Sequence, residues 1–163
     1  MEAEVLGVDI GGVIMDKAND STDTSFFSEN FLETTATPQA FEVLCRLVEK
    51  RFGDKVHLVS KAGPNTQRKT RLWFDHHRFF EKTGIRPEHL HFCRHREEKA
   101  PICQALGITH FVDDRLQILG LLPFVKHRYL FCPSPREVDR YKEHLKDVYL
   151  VKRWPEIEGL ILG

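Results

Sequence analysis

The sequence predicts an α/β fold, a three-layer open and mainly parallel sheet with helices on both faces, and two observations carry that prediction. Short apolar runs rich in β-branched residues recur along the chain, and segments of helical periodicity separate them. Regular alternation of strand and helix requires crossovers, which are right-handed and lay helices on either side of the sheet.

The first strand is Val5-Leu6-Gly7-Val8. A polar segment rich in Ser, Thr and acids, residues 15 to 37, then breaks the rhythm. Thr37 reads as the cap of the first long helix, with Pro38 at its first position, Phe41, Leu44, Leu47 and Val48 on one face and Gly53 past its end. Val56 to Val59 is the second strand, and Leu72, Trp73, His76, Phe79 and Phe80 follow helical spacing in one helix between Pro64 and Gly84. Leu90-His91-Phe92 is a third strand, Ala100 to Leu106 a helix closed by Gly107, and Phe111-Val112 a fourth strand. Arg128 to Phe131 is the fifth. Ser134-Pro135-Arg136-Glu137 is a capping box that starts a helix through Tyr141 and Leu145, and Val148 to Val151 ends the sheet.

Length and composition fit a single domain over 1–163, with residues 15 to 37 as a flap. The chain has 163 residues, 41% of them hydrophobic, enough for one core without disulfides or structural metals. Its 24 basic and 24 acidic residues cancel, which argues against a chain whose main work is gripping nucleic acid or an anionic membrane. The acidic start Met1-Glu2-Ala3-Glu4 and the interruption of the apolar run Ile118 to Val125 by Gly120 and Pro123 predict neither signal peptide nor membrane span. Cys45, Cys93, Cys103 and Cys132 form no Cys-x-x-Cys pair, so reduced cysteines and a cytoplasmic location are expected. Charge is uneven: residues 61 to 100 hold ten Lys/Arg against five acids.

Ligands of open α/β sheets sit beyond the carboxyl ends of strands where strand order reverses. Those ends supply Asp9, Ser60 and Asp113-Asp114, with Lys99 at the start of the helix feeding the fourth strand. Carboxylates converging from neighbouring strands repel, and a hard divalent cation such as Mg²⁺ relieves them. A hydroxyl and an ammonium beside that cation would hold a phosphoryl group, and Asp9 would attack phosphorus.

These residues, in this order, resemble the haloacid dehalogenase (HAD) superfamily over nearly the whole chain. Val8-Asp9-Ile10-Gly11-Gly12-Val13-Ile14 is similar to the first motif, D-x-D-G-[TV], with Gly11 in place of the second Asp. His57-Leu58-Val59-Ser60 resembles the second motif, Lys99 the third, and Phe111-Val112-Asp113-Asp114 the fourth. The resemblance implies Asp9 as nucleophile, Asp9, Asp113 and the Gly11 carbonyl as Mg²⁺ ligands, and Asp114 as a further or alternate ligand. It implies phosphate binding by Ser60, Lys99 and Gly12, and a Mg²⁺-dependent phosphatase. Gly11 cannot supply the general acid and base of the second Asp, so weak or specialised catalysis is expected, or else a non-catalytic binding protein. A flap of 23 residues has no room for a cap domain, which implies phosphorylated substrates that include macromolecules. Asp16, Asp20 and Asp23 are its conceivable substitute acids.

Other readings are open. Gly7 to Gly12 also resembles the D-I-G-G-T phosphate motif of actin-like sugar kinases, but Val13 replaces the threonine and the chain is too short for two lobes. His89, His91, Cys93 and His95 alternate, as transition-metal ligands on one face of a strand would. Arg68, Arg71, Arg78 and Lys82 read as the solvated back of a helix, or else as a face for an anionic partner. Oligomeric state is not legible.

Overall fold

The computed structural model describes residues 3–16 and 29–163. Six strands form one parallel sheet: β1 (Leu6–Val8), β2 (Val56–Lys61), β3 (Leu90–Cys93), β4 (His110–Asp113), β5 (His127–Phe131) and β6 (Val148–Val151). Their order is β3-β2-β1-β4-β5-β6. β1 pairs with β2 on one side and β4 on the other, so strand order reverses there and opens a crevice at the carboxyl ends of β1 and β4.

The period of two along each strand assigns side chains to two cores. Leu6, Val8, Leu58 and Val112 face one core. It is closed by α1 (Ala40–Leu47), α2 (Pro64–His76), α3 (Phe79–Thr83) and α7 (Trp154–Leu162), through Leu44, Trp73, Phe79 and Trp154. Val59, Phe111 and Leu130 face the other, under Cys103 of α4 (Lys99–Leu106) and Leu116 and Leu119 of α5 (Leu116–Gly120). α6 (Pro135–Arg140) adds Val138 to that side. Gly7 has a packing reason: a Cβ there would lie 2.5 Å from the Phe111 ring, which fills the space over β1.

Several boundaries differ from the sequence reading. Thr37 does not cap α1, which begins at Ala40 behind Gln39 at φ 65°. Thr37 instead forms a turn, its N–H donating to the Ile14 carbonyl at 2.8 Å and its carbonyl accepting from Ala40 at 3.1 Å. The single helix expected from Pro64 to Gly84 is two, broken at Arg78 with φ 55°. The break brings Phe79 against Phe74, ring centroids 4.4 Å apart, a pairing that a straight helix denies to residues five apart. The α6 capping box is half formed: Ser134 Oγ accepts from the Glu137 N–H at 3.2 Å, but the Glu137 carboxylate accepts from Gln117 N–H on α5. α5 and α7 are additional helices, and Trp154, Ile157 and Ile161 of α7 carry buried helical spacing. Among the described residues no helix is long and apolar enough to cross a membrane.

Candidate active site

The backbone builds the site before any side chain enters it. The Asp9 N–H donates to the Val112 carbonyl at 2.9 Å, extending the β1–β4 ladder and setting Asp9 level with the end of β4. The chain then turns around the Ile10 carbonyl, which accepts from Val13 at 3.1 Å and Ile14 at 2.8 Å. Two buried indoles pin the segments on either side of residues 17–28: Trp154 Nε1 donates to the Val13 carbonyl and Trp73 Nε1 to the Thr34 carbonyl, each at 2.9 Å. Gly12 sits at φ 78°, and a Cβ there would lie 2.6 Å from Asp114 Oδ2. Only glycine satisfies both the conformation and the close approach.

Lys99 opens α4 from a turn that Glu98 organises, its carboxylate accepting from the N–H groups of His95 at 2.7 Å and Arg94 at 3.1 Å. The Lys99 ammonium donates to Asp9 Oδ1 at 3.2 Å and Asp113 Oδ2 at 2.9 Å, and stands 5.7 Å from the centre of the Phe111 ring. Asp113 Oδ1 accepts from the Arg115 N–H at 2.9 Å. Asp113 is 0% and Lys99 3% exposed, so these charges interact with little screening by water.

Ligand oxygens of Asp9, Asp113 and Asp114 lie within 4.8 Å of one another. The Lys99 ammonium thus bridges two of these three clustered carboxylates. Burial pushes Asp9 up to about 6, with Lys99 opposing and Asp114 adding to the rise. Asp113 is also pushed up to about 6, first by burial and then by Asp9. Burial works against the charge on Lys99, yet Asp113 and Asp9 together hold it above the ordinary lysine value. Crowded buried oxygens whose ionisation is disfavoured are the donor set a hard divalent cation fits.

A cavity of 430 Å³ opens over this cluster, lined by Asp9, Gly11, Gly12, Ser60, Lys99 and Asp114. Every residue assigned to catalysis, phosphate or metal therefore lines it, except Asp113, which is fully buried and joined to it through Lys99. Lys61, Arg96 and Arg115 also line the cavity and were not singled out in the sequence, although the excess of basic residues between 61 and 100 signalled two of them. Asp16 reaches the same cavity, its carboxylate accepting from the Thr35 hydroxyl. Asp20 and Asp23 lie outside the described residues. Gly11 has no positive φ, and a Cβ built on it meets nothing within 4 Å among the described residues.

The alternating His/Cys run does not assemble as one metal set. β3 spans only Leu90–Cys93, Cys93 is buried, and His95 lies beyond it in the turn before Lys99. Among the described residues only the three carboxylates bring three ligand atoms that close.

No protein-family model and no curated protein matches this chain. A crystal structure from Burkholderia xenovorans described as a haloacid dehalogenase-like hydrolase superposes with a TM-score of 0.58 at 16% identity. The match covers 82% of this chain and 62% of that one, so the chain spans less than two thirds of that protein's length. The fold is haloacid dehalogenase-like. The HAD domain of the effector protein Lem4 from Legionella pneumophila is a more distant likeness, with a TM-score of 0.45 and 12% identity over 98% of this chain and 94% of that one. In this HAD-like sheet the carboxylate cluster occupies the point of strand reversal, with Lys99 bridging Asp9 and Asp113.

Proposed function

We propose that this chain is a Mg²⁺-dependent phosphohydrolase that works through an aspartyl phosphate on Asp9. The observation that carries the proposal is the convergence of Asp9, Asp113 and Asp114 within 4.8 Å at the ends of β1 and β4, with Lys99 tying two of them together. Asp9, Asp113, Asp114 and the Gly11 carbonyl would hold the ion. When bound, Mg²⁺ offsets the charge of an arriving phosphate and keeps the carboxylates ionised. Ser60 and Lys99 bind phosphoryl oxygens, and the Gly12 backbone closes the floor beneath them. An Asp9 oxygen attacks phosphorus, the bond from phosphorus to the leaving oxygen breaks, and the phosphoryl group stays on Asp9. Water then attacks the same phosphorus, releasing inorganic phosphate and restoring the carboxylate.

Gly11 offers no proton to the leaving group, so turnover favours phosphates whose leaving groups depart unprotonated, such as aryl and acyl phosphates. Lys61, Arg96 and Arg115 at the cavity suit phosphorylated substrates that carry further negative charge, macromolecules included. A reducing, cytoplasmic setting accords with four free cysteines. The bare Gly11 favours one second reading, a non-catalytic descendant that binds a phosphorylated partner in the same cavity.

Steady-state hydrolysis of an activated aryl phosphate with Mg²⁺ separates the two. The phosphohydrolase reading predicts activity that Asp9→Asn reduces to background. Activity that survives the substitution excludes Asp9 as nucleophile, and inactivity on both aryl and acyl phosphates supports the binding protein.

A further inference from the structure

We infer that His57 and His91 form a second metal site, for a divalent transition-metal ion, at the edge of the sheet. His57 pairs in register with Gly7 on β1, set back from the strand ends that carry the carboxylates. His91 on the edge strand β3 pairs with Val59, two residues beyond His57 and on the same face of the sheet. The diagonal places His57 Nδ1 and His91 Nε2 3.0 Å apart. His89 braces the pair: its Nδ1 donates to the Val56 carbonyl at 3.0 Å, and its ring stacks on His57 with centroids 4.1 Å apart.

Two imidazole nitrogens at 3.0 Å subtend about 90° at an ion ~2.1 Å from each. That is the cis angle of the octahedral and square sites that Ni²⁺ and Cu²⁺ take, and imidazole suits both ions. Both rings are half-buried, which leaves the outer positions to water. Burial, with His89 and His91 nearby, pushes His57 down to about 4 and also lowers His91, so both are neutral and able to ligate at pH 7. Without an ion the same contact is one N–H···N hydrogen bond. Metal binding moves that proton to the far nitrogen of its own ring, so both rings remain neutral. The bound ion would clip β3, an edge strand paired only to β2 in the sheet, to its neighbour.

Calorimetric titration of the whole chain with Ni²⁺, in millimolar Mg²⁺ to occupy the carboxylates, tests the site. Saturable binding of one ion per chain is expected, weakened roughly tenfold or more in His57→Gln and in His91→Gln, because loss of a ligand costs at least as much as loss of its outer partner. Asp113→Asn should bind Ni²⁺ as wild type does. No saturable binding, or binding that survives both histidine substitutions, overturns the site and leaves the pair as a hydrogen bond. Should either variant fail to fold, Ni²⁺ broadening of ring resonances in the wild-type protein still decides: the site requires broadening centred on His57 and His91, and broadening centred on other histidines refutes it.

Discussion

At Gly11 one missing side chain separates two kinds of chemistry. Its backbone avoids positive φ and a Cβ there meets nothing within 4 Å among the described residues, so aspartate can be introduced without strain in the turn. Gly11→Asp should therefore fold and add a general acid above Asp9. Turnover of alkyl phosphates, whose leaving groups need a proton, should rise by ~10²–10⁴, and that of aryl phosphates by less. Melting temperature measured beside rate separates a folding defect from a catalytic one. A folded variant with no gain on any phosphate ester would favour the binding-protein reading. Gly12 contrasts with its neighbour, because its φ of 78° and the 2.6 Å approach to Asp114 leave it no alternative residue.

At the scale of elements, what the sequence makes legible is what local pattern determines. Every strand was visible as a short apolar run, and the order of Asp9, Ser60 and Asp113-Asp114 at strand ends with Lys99 at a helix start pointed to the cavity. Interactions between distant residues were not visible. The break at Arg78 serves the packing of Phe79 on Phe74, and the late start of α1 follows from Thr37 binding back to Ile14. Trp73 was legible only as part of a helical apolar pattern and Trp154 not at all; both are buried, and their indole N–H groups also hold the chain beside the cavity. Arg96 and Arg115 reached the cavity from turns next to Lys99 and Asp113, where no periodicity distinguishes a lining residue from a solvated one. The alternation of His89 and His91 was legible, but their contact with His57 depends on the pairing register of β2 and β3.

For the molecule as a whole, two sets of buried titratable groups bear on stability with opposite signs. Burial, with His127 beside it, pushes His110 down to about 4, against an unfolded value of ~6.5. Its contribution is complete above the unfolded value. As pH falls toward 4 the unfolded chain takes up a proton the native state refuses, at up to ~1.4 kcal/mol per pH unit. Asp9 and Asp113, raised from 3.8 to about 6, act the other way: the native state holds more protons across that window, so lowering pH through it adds stability. If Mg²⁺ binds there as proposed, saturating ion would keep those carboxylates ionised and remove the offset. Thermal melts between pH 6.5 and 5 should then show a steeper loss of stability with Mg²⁺ than without it, and His110→Gln should flatten the slope in Mg²⁺. Equal slopes with and without the ion would contradict the assignment of the carboxylates to metal.

The melting temperature at neutral pH, with and without Mg²⁺, reads whether the carboxylates at the reversal of strand order hold a divalent cation as proposed. At a hundredfold excess over the dissociation constant, binding adds ~2.7 kcal/mol, and a chain of this size gains about 2–4 °C per kcal/mol. The wild-type chain should therefore melt several degrees higher in Mg²⁺. Asp113→Asn removes a fully buried ligand whose ionisation burial already disfavours, so it should fold without the ion and lose the Mg²⁺ response. A wild-type chain indifferent to Mg²⁺, or a variant that responds as wild type does, would rule out a cation held by these carboxylates.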